Sequence, residues 1–219
     1  MSILILSWIG GIALVAAIIY FGIQAEKKRT AAFQATAAEL GFEFSPQGDV
    51  DLLKTLGGFH LFSQGHSKKL WNLLRSRTEN LELAIFDYTF SVGSGKGRRT
   101  SQQSVIAFRF AGPNLSTFLL RPEGFWDKIG SWMGYRDIDF DDYPVFSRSY
   151  LLRGNEEKVV RQLFSAPILD YFTDNPGLAV EGGGPILLYY RPRKRVEPQN
   201  VRTFMEEGWK VLTLFRPVE

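Results

Sequence analysis

The sequence predicts an α+β protein: an N-terminal transmembrane helix, then a mainly antiparallel sheet with flanking helices, ending β-α-β-β-α. Three observations carry this. Residues 3–23 form an uncharged apolar run. Two β-patterned runs, 81–92 and 101–110, flank a Gly-rich basic loop, as in an antiparallel hairpin. The last third mixes strand-like and helix-like periods without the βαβ rhythm of a parallel sheet.

The apolar run reads ILILSWIGGIALVAAIIYFGI. As a helix it extends about 30 Å, the thickness of a bilayer's hydrocarbon core. Trp8 near one end and Tyr20 and Phe21 near the other occupy positions that interfacial aromatics favour. A cleaved signal peptide is the rival reading, with a buried core helix behind it. A signal peptide needs a basic n-region, and only Met1 and Ser2 precede the run. Lys27, Lys28 and Arg29 follow the run, and no basic side chain precedes it. Basic flanks stay in the cytoplasm, so the N-terminus is expected outside and the soluble domain inside.

The expected organisation is a transmembrane helix over 1–23, a juxtamembrane helix over 24–41 and a soluble α+β domain over 42–219, with an optional sub-boundary near 137–145. Residues 24–40 are rich in Ala, Glu and Lys, and Gly41 supplies a stop. The membrane helix is free to run on into them. Short strands are expected at 42–44 and 59–62, a longer one at 70–76, and the clearest at 81–92, where Ala84, Phe86, Tyr88, Phe90 and Val92 share a face. In the facing run Val105, Ala107 and Arg109 lie opposite Ile106, Phe108 and Phe110. A strand over 116–120 and a helix over Pro122–Gly134 follow. Phe146–Arg153 reads as a strand. Asn155 is placed to cap a helix that turns Val159, Val160, Leu163 and Phe164 inward. Pro167 starts a second helix. The segments 178–181 and 186–190 make a hairpin through Gly182-Gly183-Gly184, and Pro198–Phe215 is a final amphipathic helix.

Composition narrows the chemistry. The 219 residues hold 18 Phe, 5 Trp and 8 Tyr, ample aromatic surface for a packed core. No cysteine is present, which excludes disulfides, thiol catalysis and thiolate zinc sites. With 26 basic against 23 acidic residues, the net charge of +3 argues against a nucleic-acid partner.

Each candidate site competes with a plainer reading. Gly93-Ser94-Gly95-Lys96-Gly97 lacks the spacing and the following helix of a phosphate loop, and reads as a hairpin tip. Asp137, Asp139, Asp141 and Asp142 lack the glycine and distal glutamate of a calcium loop, and read as solvated or capping residues. His60, in an expected strand, and His66, in a polar loop, form no metal motif, and no G-x-S-x-G elbow supports a triad. Asp87 is expected to pair with a neighbouring cation, Arg109 being a candidate. The basic cluster Arg191, Arg193, Lys194 and Arg195, together with Lys27, Lys28 and Arg29, is the most suggestive feature, as contacts to an anionic membrane; Arg98 and Arg99 add a basic hairpin tip. Near an anionic leaflet each such charge is worth about 1 kcal/mol.

The stretch from about residue 70 to 190 resembles a family of uncharacterised bacterial proteins that each carry one N-terminal membrane helix. The matching pieces are FDYTF and GSGKGRRTSQQSV, then RPEGFWDKIG, DIDFDDYPVFSRSYLLRG, VRQLFSAP and VEGGGPILLYYRP. The resemblance implies a bacterial source and a membrane anchor, and carries no activity, cofactor or catalytic residue.

The functional expectation is a non-enzymatic binding or scaffold module at the bacterial plasma membrane. Its partners are the lipid bilayer through the N-terminal helix, and anionic lipid headgroups or a protein at its surface. A membrane-associated hydrolase and an apolar-ligand carrier are the alternatives. No cofactor, metal or catalytic residue is implied.

Overall fold

The computed structural model describes residues 2–124 and 137–216, with the side chains of 2–10, 12 and 13 outside the description. Helix α1 runs unbroken over Ser2–Leu40. No proline interrupts it, and Gly41 closes it with a left-handed φ of 69°. Among the described residues no helix is long and apolar enough to cross a membrane. Of the expected span over 3–23, the side chains of residues 3–10, 12 and 13 lie outside the description.

Beyond α1 the chain forms β1 (Glu43–Ser45), α2 (Val50–Thr55), α3 (His60–Ser63), β2 (His66–Arg77), β3 (Leu81–Val92), β4 (Arg99–Phe110), β5 (Leu115–Pro122), α4 (Pro144–Ser149), β6 (Tyr150–Gly154), α5 (Glu157–Leu163), α6 (Ala166–Asp174), β7 (Ala179–Gly184), β8 (Ile186–Tyr190) and α7 (Val201–Phe215). The fold class is therefore α+β. One sheet of eight strands, ordered β1-β2-β3-β4-β8-β7-β5-β6, is antiparallel at every pairing. The strands on either side of residues 137–145 pair directly with each other.

The two-residue period of the strands sends alternate side chains to two apolar layers. Leu83, Ile85, Ile106 and Phe108 face Phe33 and Ala37 of α1 together with residues of α5–α7. Here Phe118 packs on Phe164 and Phe215 with ring centroids 5.2 and 5.1 Å apart. Phe86, Tyr88, Phe90, Val105 and Ala107 face the opposite way, onto Leu56, Leu61 and Phe62. Each fully buried Phe contributes about 1.5–3 kcal/mol, so the many aromatics are accounted for by the two layers.

Several local expectations are corrected. Residues 59–62 are not a strand. A 3-10 turn over Leu56–Gly58 leads into α3, because the Glu181 carboxylate accepts the His60 and Leu61 backbone N–H groups and holds the start of a helical turn. Phe146–Arg153 divides into α4, begun by Pro144 in its first turn, and β6. Asn155 accepts the Ser116 hydroxyl at 3.1 Å, and Glu156 takes the capping position of α5. Val160 and Phe164 point inward, but Val159 is 41% exposed. Pro122 ends β5. The helix expected over Pro122–Gly134 otherwise falls largely outside the described residues.

Candidate functional site

Along the α1 side of the sheet, polarity changes row by row. Ile85 and Ile106 face each other across β3 and β4, followed by Asp87 and Ser104, then Thr89 and Gln102. On β2, Trp71 lies beside Asp87 and Lys69 beside Thr89. Helix α1 follows the same gradient. Phe33 and Ala37 lie over the apolar rows, Arg29 reaches Asp87, and Glu26 meets Arg195, which also reaches Gln102. The apolar N-terminal part of α1 therefore leaves the sheet at the end that carries the β3–β4 hairpin tip.

Asp87 is fully buried and gathers five donors. Arg29 binds it with two nitrogens, at 2.8 and 2.9 Å. The Ser104 hydroxyl donates at 2.7 Å, Asn72 Nδ2 at 3.1 Å and Arg195 at 3.4 Å. Arg195 also makes a paired contact with Glu26, at 2.6 and 2.8 Å. Two carboxylates thus balance two guanidiniums, the condition under which buried charge is tolerated. The hydrogen bond from Arg195 holds Glu26 below the usual carboxylate range. Burial works against the Arg195 charge, but Glu26 and Asp87 outweigh it and raise its pKa.

Asn72 completes the cluster from a bulge in β2, between the paired positions Trp71 and Leu74. Its φ of 51° is a left-handed conformation that asparagine tolerates better than most residues. Its amide oxygen accepts the Thr30 hydroxyl at 2.9 Å. Arg29 also donates to the Val196 carbonyl, and the Val196 N–H donates to Ser104. One carboxylate therefore ties α1, three strands and the loop after β8 together. Arg109 is not its partner; it lies opposite Glu82.

The basic residues singled out in the sequence separate. Arg29 and Arg195 belong to this internal cluster, with side chains 11% and 18% exposed. Arg191 binds Glu207 at 2.6 Å. Lys27, Lys28, Arg193 and Lys194 are exposed.

Where α1 parts from the sheet, a groove of about 850 Å³ opens. Ile19, Gly22 and Ile23 give it an apolar wall, Trp71, Thr89 and Gln102 line the strand side, and Lys27 and Lys69 line it as well. The Lys69 ammonium and the Arg195 guanidinium lie 5.7 and 5.5 Å from the Trp71 ring. Nothing in the local sequence singles out Trp71, Lys69 or Gln102. They meet α1 through strand pairing alone.

The opposite face holds a second polar cluster. Glu181 is buried and accepts the Leu61 N–H at 3.0 Å, the Tyr190 hydroxyl at 2.8 Å and the His60 N–H. Burial outweighs these donors and raises its pKa to about 7. The His60 ring nitrogens have no partner among the described residues, and burial, with the Arg121 and Arg153 charges, lowers its pKa to about 4. The cavity beside it is about 20 Å³, room for a single water rather than a substrate.

The remaining motifs have local roles. Gly95–Gly97 is a 3-10 turn in the hairpin tip. Asp137 accepts the Ile138 and Leu152 N–H groups, each at 3.0 Å. His66 opens β2 and its ring contacts the Gly93 carbonyl at 2.9 Å. Among the described residues no group of three or more His, Cys, Asp or Glu is placed to hold a metal.

No family model and no curated protein matches the chain. Among solved structures, the fold is similar to the crystal structure of the mycobacterial trehalose monomycolate transport factor A, TtfA, with a TM-score of 0.60 at 14% sequence identity. The match covers 87% of this chain and 97% of that one.

Proposed function

We propose that this chain is a single-pass, membrane-anchored, non-enzymatic binding module of the bacterial plasma membrane, with its N-terminus outside and its α+β domain on the cytoplasmic surface. The observation that carries the reading is the exposure of α1 before it meets the sheet. Leu14, Val15, Ile18, Ile19, Tyr20, Phe21 and Ile23 are each between 50% and 69% exposed. A helix apolar on every side belongs in a protein core or in lipid, and at these residues the described chain leaves it exposed. The uncharged run over 3–23 has the length of a bilayer span. The Asp87 cluster would then fix the domain to the anchor directly, without a flexible linker. The working surface is the groove beside α1. A module that receives an amphiphile there also accords with what TtfA is named for.

Alkaline carbonate extraction of cell membranes tests the anchor. The native chain is expected in the pellet. An Ile18→Lys/Ile19→Lys variant puts two charges within the span, at about 2.5–3.5 kcal/mol each near its centre and less toward its end, and is expected to shift toward the supernatant. A native chain released by carbonate would defeat the reading.

A further inference from the structure

We propose that the groove beside α1 binds an anionic membrane lipid, with Lys27 and Lys69 taking the headgroup phosphate and Ile19, Gly22 and Ile23 flanking the first part of an acyl chain. The proposal rests on α1 being a membrane anchor and names the class of ligand that the module receives.

The charge arrangement selects an anion. Of the acidic residues, Glu26 alone lines the groove, and its two oxygens are engaged by Arg195. Lys27 and Lys69 both line the groove, and among the described residues neither forms an ion pair with a carboxylate. The apolar wall selects a ligand with a tail. A free phosphate ion would have no use for Ile19 and Ile23, and an uncharged amphiphile would have none for the lysines. Trp71 lines the groove with the Lys69 ammonium 5.7 Å from its ring, an amphipathic side chain of the kind favoured at a lipid boundary.

Shape and position agree with this. Gly22 lines the groove beside open space: a Cβ built there meets nothing within 4 Å. A volume of about 850 Å³ accommodates a headgroup and the upper part of a chain, leaving the remainder in the bilayer. The groove opens where α1 leaves the sheet, next to the expected end of the span. The hairpin tip projects from that same end of the sheet, and Lys96, Arg98 and Arg99 add exposed positive charge there.

Native mass spectrometry of the full chain in detergent, with phosphatidylglycerol or phosphatidylcholine of identical chains, tests the proposal. Phosphatidylglycerol adducts are expected to exceed phosphatidylcholine adducts by about thirtyfold, the scale of two lysine–headgroup contacts. Lys27→Ala/Lys69→Ala is expected to abolish that preference. Gly22→Leu, which adds a branched side chain at the groove wall without changing charge, is expected to reduce adducts of both lipids. Equal binding of the two lipids by the native chain would overturn the proposal, as would phosphatidylglycerol binding that survives both variants. Displacement of the lipid by an equimolar acidic peptide would overturn it in favour of a protein occupant. Failure of the anchor itself registers separately, in carbonate extraction, which neither variant is expected to change.

Discussion

Replacing Asp87 with alanine is expected to destabilise the protein by about 3–5 kcal/mol, because it leaves Arg29 and Arg195 buried with too little negative charge. That is a large part of the 5–15 kcal/mol typical of a folded domain. The loss should be local as well as global. Arg29 binds Asp87 through two nitrogens and Arg195 reaches it too, so α1 should loosen from the sheet before the remainder unfolds. Trypsin offers a direct readout, since Lys27, Lys28 and Arg29 all lie at this junction. Cleavage there should accelerate in Asp87→Ala well below its unfolding transition. A double-mutant cycle of Asp87→Ala with Arg29→Met separates the pair from the loss of packing. Urea unfolding that shifts by less than about 1 kcal/mol, as for a surface ion pair, would show that the cluster is not a clamp.

The second large effect concerns pH. Folded Glu181 keeps its proton up to about 7, whereas the ordinary value is 4.5. Between those values the folded state binds more protons than the unfolded state, so this group's contribution falls as pH rises. His60 has the opposite sign. Its folded pKa is about 4 against an ordinary 6.5, so the unfolded state binds more protons in that window and stability rises with pH. Each contribution is about 3 kcal/mol across its window. They overlap between about 4.5 and 6.5 and offset each other. Glu181→Gln is therefore expected to steepen the rise of stability with pH relative to the native chain. His60→Gln is expected to turn that rise toward a fall. Removing the carboxylate also costs hydrogen bonds to α3, about 1–3 kcal/mol. That cost does not vary with pH, so slopes from urea titrations carry the comparison. Parallel slopes in native and Glu181→Gln proteins would contradict the assignment.

Strands with clean alternation were legible in the sequence. β3 occupies residues 81–92, and the two faces of β3 and β4 divide between the two apolar layers as their period requires. The sequence left the apolar helix free to run on into residues 24–40, and α1 does so over Ser2–Leu40. Short apolar runs were not legible, because four residues fit a strand or a helical turn equally well. At Phe59–Phe62 the choice is made by Glu181, 121 residues away from His60. The ion cluster was hidden for the same reason. Asp87 stood out as a charge within an apolar strand, but its partners lie 58 and 108 residues away and reach it only through tertiary packing. The basic cluster after β8 was visible as composition, yet composition does not separate Arg195, turned inward, from Lys194, turned outward. The groove left no local signal because α1, Pro46, β2, β3 and β4 line it together.

The proposed topology, with α1 as a transmembrane anchor holding the domain on the cytoplasmic surface, is open to a direct test. The chain has no cysteine, so a single introduced thiol reports its own location without background. Ser2→Cys and Lys96→Cys would each be treated with a membrane-impermeant maleimide on intact spheroplasts and again after permeabilisation. Labelling of Ser2→Cys on intact spheroplasts, with Lys96→Cys labelled only after permeabilisation, is the expected result. Both thiols protected until permeabilisation, in a chain that carbonate releases from the membrane, would contradict the account.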